Sequence, residues 1–138
     1  MKNLKLILML LFFSISFSGF SQKVKLKNGE ILVDGKVWAQ YKESGLLDYS
    51  IYINDNEIIF IKFVVKGNDN MFYNSNNYFS VRFVGKQKGF EINKTEPKEI
   101  IKILFNSKVL NEDGSLNDTT INNLVDKYGN DISPRFTN

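Results

Sequence analysis

The stretch KVKLKNGEILVDGKVWA, Lys23–Ala39, decides the fold because it places two turn signals between short alternating segments. Asn28–Gly29 is a strong signal for a two-residue type I′ hairpin turn, since both central residues of that turn need positive φ. This turn pairs Leu26 with Ile31, and the next pair away from the turn is also apolar on the same face. The stretch therefore predicts the start of an antiparallel meander.

The second turn, Asp34–Gly35, leaves two pairings open. A two-residue loop places Ile31 opposite Trp38. A three-residue loop, with Gly35 in the left-handed region, places Ile31 opposite Val37. We favour the three-residue loop because it gathers the apolar side chains of both strands on one face. These side chains are Ile31, Val33, Val37 and Ala39.

Further strands follow with the same two-residue period. Asp48–Ile53 alternates, and Glu57–Lys66 is the longest apolar stretch after the first 21 residues. Because Glu57–Lys66 is apolar on both sides, it predicts a central strand that is covered on both faces. Tyr78–Val84 predicts a half-buried strand, and the turn Gly85–Gly89 leads into a short last strand.

The period then changes to that of helices. Pro97 opens the first helix, where its missing N–H does no harm. The second helix has a cap residue at Asn117 and a glycine, Gly129, where a left-handed stop is expected. Its apolar residues repeat at helical spacing: Ile121, Leu124, Val125 and Tyr128.

Strands first and helices last predict an α+β domain. We expect an antiparallel β-sheet of about six to seven strands, followed by two C-terminal helices packed on the sheet. The first hairpins are expected to fold over the opposite face, which would cover the doubly apolar strand. The chain after the leader, residues 22–138, has the length of a single domain.

The N-terminus resembles a secretory signal peptide. Lys2 and Lys5 precede the apolar run Leu6–Phe13, and Gly19 and Ser21 are small residues at positions −3 and −1 from Gln22. The run is too short for a spanning helix, which needs about 20 apolar residues. We therefore expect residues 1–21 to be cleaved and the mature chain to be periplasmic or secreted, with no transmembrane span.

Composition excludes several kinds of chemistry. The chain has no histidine and no cysteine, which removes the usual triads, the common metal ligands and attachment of a lipid to cysteine. Without Lys2 and Lys5 the chain carries 16 basic and 15 acidic residues, interspersed, so no nucleic-acid-binding stripe is predicted. We expect no cofactor and no metal site.

Two weaker patterns offer other chemistry. A glycosidase needs two carboxylates across a cleft, and the candidates are Asp48, Asp55, Glu57 and Glu91. The loop Asn111–Asp118 alternates oxygen ligands around Gly114, but Val109 and Thr120 occupy the positions where a calcium loop needs Asp and Glu. We interpret this loop as a polar connection that ends in a helix cap.

Exposed aromatic residues are the remaining candidates for a binding site. The long loop Gly67–Asn77 carries large apolar side chains, and Tyr52 and Tyr78 fall on polar strand faces. Such side chains stack on sugars or anchor a protein partner. The predicted binding residues are Met71, Phe72, Tyr73, Tyr78 and Arg82.

The leader ending Phe17–Gln22, the seventeen asparagines and the stretch Ile31–Ala39 resemble small exported proteins of the Bacteroidetes. The resemblance covers the leader and about twenty further residues. It implies export, and it transfers no activity and no functional residue. Asp118-Thr119-Thr120 is similar to the O-glycosylation signal of such bacteria, although its predicted place in a helix counts against modification.

These observations favour an exported, non-catalytic domain of the cell envelope that binds an envelope protein or a glycan. One alternative is a small carboxylate-dependent hydrolase acting on envelope glycans. Another is a structural envelope component or a secreted cargo.

Overall fold

The computed structural model describes residues 22–65 and 77–129, which form one sheet followed by two helices. The strands are β1 (Val24–Lys27), β2 (Glu30–Val33), β3 (Lys36–Ser44), β4 (Asp48–Ile53), β5 (Asn56–Val64), β6 (Tyr78–Phe83) and β7 (Lys88–Ile92). The helices are α1 (Pro97–Asn106) and α2 (Asp118–Tyr128). Each strand pairs antiparallel with its neighbour in sequence, in the order β1 to β7. The predicted α+β class is confirmed.

One face of the sheet, here called the inner face, holds the core. The strand pairing aligns apolar side chains into rows that cross the sheet, such as Ile51, Ile59 and Phe83. All three are at most 1% exposed. A continuous apolar surface of this kind must be covered by other elements to remove it from water.

The two helices cover the inner face. The buried side chains Ile100, Ile101 and Leu104 of α1 belong to the same apolar cluster as the inner-face residues, as do Ile121 and Leu124 of α2. Within the described residues, no helix is both long and apolar enough to cross a membrane. The helices therefore act as the second layer of the domain.

The turn Asp34–Gly35 differs from the three-residue loop favoured above. Both residues have positive φ, 50° and 82°, and Val33 pairs with Lys36, so the loop has two residues. A bulge then shifts the register, so that Ile31 pairs with Ala39 and not with Val37 or Trp38. Val37 lies opposite Leu32 and is 56% exposed, so the prediction that it shares the apolar face was wrong.

The opposite face, here called the outer face, is not covered as expected. The first hairpins extend the same sheet and do not fold over it, because the β2–β3 and β3–β4 pairings make them continuous with the later strands. On the outer face of β5, Lys62 is exposed, and Phe60 and Val64 are half-buried. The prediction of a strand covered on both faces was therefore wrong for the described residues.

The helix ends mostly follow the local signals. Asn117 Oδ1 accepts a hydrogen bond from the Thr120 N–H at 3.0 Å, which confirms the predicted cap. Glu99 Oε2 accepts hydrogen bonds from the backbone N–H groups of Thr95 and Glu96 and stabilises the start of α1. Gly129 ends α2 but has φ −95°, so the left-handed stop predicted there was wrong.

Candidate binding site

Strands β3 and β4 separate at one end and leave a gap in the sheet. Their pairing runs from Ser44–Asp48 to Gln40–Tyr52 and stops there. The remaining part of β3, Lys36–Ala39, pairs only with β2, and Ile53 of β4 pairs only with β5. Beyond this point β3 pairs only with β2 and β4 pairs only with β5, so a cleft opens between the two hairpins.

This β3–β4 cleft has a volume of about 310 Å³. One wall comes from β3 and the other from the end of β4 and the following turn. The lining residues are Val37, Trp38, Ala39, Gln40, Tyr52, Ile53, Asn54 and Asp55. The lining thus combines two aromatic rings, two side-chain amides and a single charged group. Sites for small ligands combine apolar surface with a few polar groups in this way.

Trp38 belongs to the β3 wall and is held by the helix layer. It is half-buried, and its ring meets the Phe105 ring of α1 edge-on, with 5.9 Å between centroids and 81° between planes. Trp38 is the extra residue of the β2–β3 bulge, since Val37 pairs with Leu32 and Ala39 with Ile31. The bulge therefore directs the indole toward α1 while leaving part of it accessible from the cleft.

Tyr52 belongs to the β4 wall. The Lys42 ammonium lies 4.8 Å from the centroid of the Tyr52 ring, in the arrangement of a cation–π contact. Tyr52 pairs with Gln40 across β3 and with Glu57 across β5, which places it on the outer face at the mouth of the cleft. The contact with Lys42 restrains the Tyr52 ring.

The connection between α1 and α2 supports the β4 wall. Gly114 lies so close to Ile53 that a Cβ added at Gly114 would be 2.8 Å from Ile53 Cγ2. The connection is closed by hydrogen bonds from the Asn111 N–H to the Ser115 carbonyl and from the Ser115 hydroxyl to Asp113. The hydrogen bonds that Asp113 accepts from the Ser115 hydroxyl and the Ser115 N–H lower the pKa of its carboxyl. The β4 wall of the cleft thus packs against a loop whose backbone is held by hydrogen bonds.

The hydrogen bonds of this loop also bear on whether its alternating oxygen-bearing side chains are available to bind calcium. Asp113 Oδ1 also accepts the Ser115 N–H, and Asn117 Oδ1 caps α2. The side-chain oxygens of Asp113 and Asn117 therefore accept hydrogen bonds within the loop and at the helix cap. This is what we expect of a polar connection between two helices. The described part of the chain contains no group of three or more metal-binding side chains.

Two of the four candidate carboxylates, Asp48 and Asp55, lie far apart along the chain. About 20 Å of extended chain separates Asp48 from Asp55, which stand at opposite ends of β4. Asp48 Oδ1 accepts a hydrogen bond of 2.8 Å from the Phe63 N–H and extends the pairing of β4 with β5. This separation exceeds the 5–9.5 Å, approximately, that glycosidase carboxylates need.

Tyr49 has a strongly shifted pKa, and it lies on the inner face. Burial, followed by the hydrogen bond of its hydroxyl to Glu43, raises the pKa of Tyr49 to about 12. The phenol therefore stays protonated near neutral pH and acts as a structural donor.

No protein-family model, no curated protein and no solved structure matches this chain. The β3–β4 cleft therefore has to be interpreted from its own geometry and chemistry. That geometry rests on the strand pairing, the bulge at Trp38 and the contact between Gly114 and Ile53.

Of the binding residues predicted from the sequence, the two that the structure describes, Tyr78 and Arg82, do not line this cleft. Met71, Phe72 and Tyr73 lie outside the described residues. Tyr78 and Arg82 lie on the outer face of β6, and Arg82 is exposed opposite Phe60. Tyr78 is only 9% exposed, so it offers less surface than its polar strand face predicted.

The sequence reasoning missed Trp38 as a candidate. At the level of the sequence, Trp38 enters only as a possible partner of Ile31, and the structure shows its side chain to be half-buried. The signal that makes Trp38 part of a cleft is the bulge next to Asp34–Gly35, which a regular alternation pattern does not reveal.

Proposed function

We propose that the chain is an exported, non-catalytic binding domain of the cell envelope that takes a neutral glycan in the β3–β4 cleft. The observation that carries the proposal is the meeting of Trp38 and Tyr52 with the amides of Gln40 and Asn54 around one opening.

The aromatic rings account for the stacking surface. Sugar rings present faces of C–H groups, and amphipathic aromatic side chains bury such surface while keeping a polar edge in water. Trp38 and Tyr52 lie on different strands that line the same cleft, so a ligand seated in the cleft would contact both strands. A cleft of about 310 Å³ is at the small end of the usual range for ligand sites, which suits one end or a short stretch of a glycan chain.

The polar groups account for the choice of a neutral ligand. Gln40 and Asn54 each offer donors and an acceptor, and these match sugar hydroxyl groups. Asp55 is the one charged residue of the lining, so the cleft repels an acidic sugar and accepts hydrogen bonds from a neutral one. Lys42 lies nearby, but it faces the Tyr52 ring.

Trp38 fluorescence tests the glycan proposal directly, because Trp38 is the only tryptophan in the chain. We expect neutral oligosaccharides, with chitotetraose and cellotetraose as probes, to produce a saturable change in its emission. Tyr52→Ala should weaken binding about tenfold, since loss of one stacking ring costs about 1 kcal/mol or more.

The matched control is Phe60→Ala, which removes an aromatic ring from the outer face one strand away. Its affinity for the same oligosaccharides should stay within about twofold of the parent chain. An oligogalacturonate should bind more weakly than the neutral probes. The glycan proposal fails if none of the neutral probes changes the emission, or if Tyr52→Ala binds like the parent.

Export is supported by the leader pattern and is tested separately. N-terminal sequencing of the protein purified from its native host should start at or near Gln22. An N-terminal glutamine can cyclise, so mass spectrometry should accompany the sequencing to detect a blocked end. Extracytoplasmic protein that still begins with Met1 would contradict export through a cleaved leader.

A further inference from the structure

Among residues 22–65 and 77–129, strand β1 is an edge of the sheet with free backbone groups. Asp34 N–H donates to the Lys23 carbonyl at 3.0 Å, so Lys23 and Asp34 form a hydrogen-bonded pair. Hydrogen-bonded and non-hydrogen-bonded pairs alternate along antiparallel strands. The N–H and C=O groups of Val24 and Leu26 therefore point away from β2 toward the free edge. Such an edge can accept another strand.

Helix α1 flanks this edge and forms a groove with it. The groove has a volume of about 340 Å³, and we call it the β1 groove. Its lining residues are Gln22, Lys23, Val24, Glu96, Lys98, Glu99 and Lys102. An exposed strand edge beside a helix is the arrangement in which an extended peptide adds a strand to a sheet.

The charged groups of the β1 groove favour acidic ligands. Among the described residues, the side-chain ammonium groups of Lys23, Lys98 and Lys102 form no ion pair with a carboxylate within 4.0 Å. Glu99 is occupied by its hydrogen bonds to Thr95 and Glu96 at the start of α1, which lower the pKa of its carboxyl. The lining thus sets three lysines against two glutamates, Glu96 and Glu99, and the lysine side chains remain available to an incoming strand.

Gln22 adds an unsatisfied acceptor to the same groove. Its Oε1 atom is buried and has no hydrogen-bond partner among the described residues. A buried acceptor without a donor is unfavourable. A donor on an incoming peptide would remove this cost.

We infer that the β1 groove binds an extended segment of a partner protein, with acidic side chains, that adds to the sheet as a strand beside β1. The inference goes beyond glycan binding, because it concerns a different surface and a different class of ligand. It does not depend on the β3–β4 cleft.

A second copy of this chain is a poor occupant. Lys23, Lys25 and Lys27 recur along β1, so pairing β1 with β1 would bring six lysines together. Like charges on neighbouring strands destabilise their pairing, and lysines on an edge prevent self-association. The same lysines attract an acidic strand, so the groove selects against a second copy and in favour of an acidic partner.

The probe for this inference is a fluorescent eight-residue peptide of alternating Thr and Glu, measured by fluorescence anisotropy at low salt. We expect saturable binding, and we expect the Val24 and Leu26 amides to become protected from hydrogen exchange. Lys98→Glu combined with Lys102→Glu should weaken binding at least about tenfold, because both changes place negative charge beside the ligand. Lys62→Glu combined with Lys108→Glu changes the net charge equally, away from the groove, and should alter affinity less than about threefold.

Two further peptides separate strand addition from simple ionic attraction. The same peptide N-methylated at every residue keeps its charge but cannot donate backbone hydrogen bonds, and it should not bind. The peptide of alternating Thr and Lys should not bind either. Equal binding of the methylated and parent peptides would overturn the inference, as would absence of binding or of amide protection. Dimerisation through β1 in sedimentation experiments would overturn it as well.

Discussion

Phe90→Ala is expected to lower the free energy of unfolding by about 3–5 kcal/mol. The Phe90 side chain is fully buried on β7, and its ring lies 6.1 Å from the Phe83 ring and 5.4 Å from the Tyr128 ring, centroid to centroid. Truncation would leave a cavity where β6, β7 and α2 meet. Because domains of this size are stable by only about 5–15 kcal/mol, the loss is large. Urea unfolding followed by circular dichroism measures it.

Phe60→Ala is the control for this prediction. Phe60 has the same side chain and lies in the same sheet, but it is half-buried on the outer face. We expect a loss below about 1.5 kcal/mol, because less apolar area leaves water and less cavity is created. Equal losses at Phe60 and Phe90 would contradict the assignment of the two faces.

Gly114→Ala is expected to lower the free energy of unfolding by about 2–4 kcal/mol, from two causes. Gly114 has φ +84°, a conformation that is unfavourable for alanine. Its new Cβ would also be 2.8 Å from Ile53 Cγ2, so that the loop or the β4 wall of the cleft must move. Thermal and urea unfolding report the total, and Trp38 fluorescence reports whether the cleft changes.

Gly35→Ala separates the two causes. Gly35 has φ +82°, nearly the same as Gly114, but an added Cβ there would meet no atom within 4 Å. Its loss should be about 1–2 kcal/mol, from the backbone conformation alone. A loss at Gly35 as large as that at Gly114 would show that the contact with Ile53 carries no cost. In that case the effects of Ile53→Ala and Gly114→Ala on the free energy of unfolding should simply add in the double variant.

Much of the fold could be predicted because it rests on local signals. Asn28–Gly29 forms the expected two-residue turn, with Leu26 paired to Ile31. Pro97 begins α1, and Asn117 caps α2. In each case the residue type imposes the backbone conformation or supplies the hydrogen bond itself. Such features do not depend on residues far away in the chain.

The error at the second turn concerns a place where two pairings compete. At Asp34–Gly35 the turn geometry and the apolar alternation disagree by one residue, and the protein resolves the conflict with a bulge. The alternation favoured Val37 in the core, but the bulge exposes Val37 and brings the Trp38 ring against Phe105. The contact with α1 comes from a helix more than fifty residues later, so no local pattern predicts it.

The candidate sites also depend on the difference between local sequence signals and contacts between residues that are distant in the chain. The absence of histidine and cysteine, the leader pattern, the strand and helix periods and the turn residues are properties of composition and local order. They predict the α+β class that the structure shows, and they are the basis for the proposal of export and for the prediction that several kinds of catalysis are excluded. The β3–β4 cleft arises where two hairpins separate, and the β1 groove arises where α1 lies beside an edge strand. Both need residues distant in sequence to meet, which only packing of the whole chain brings about.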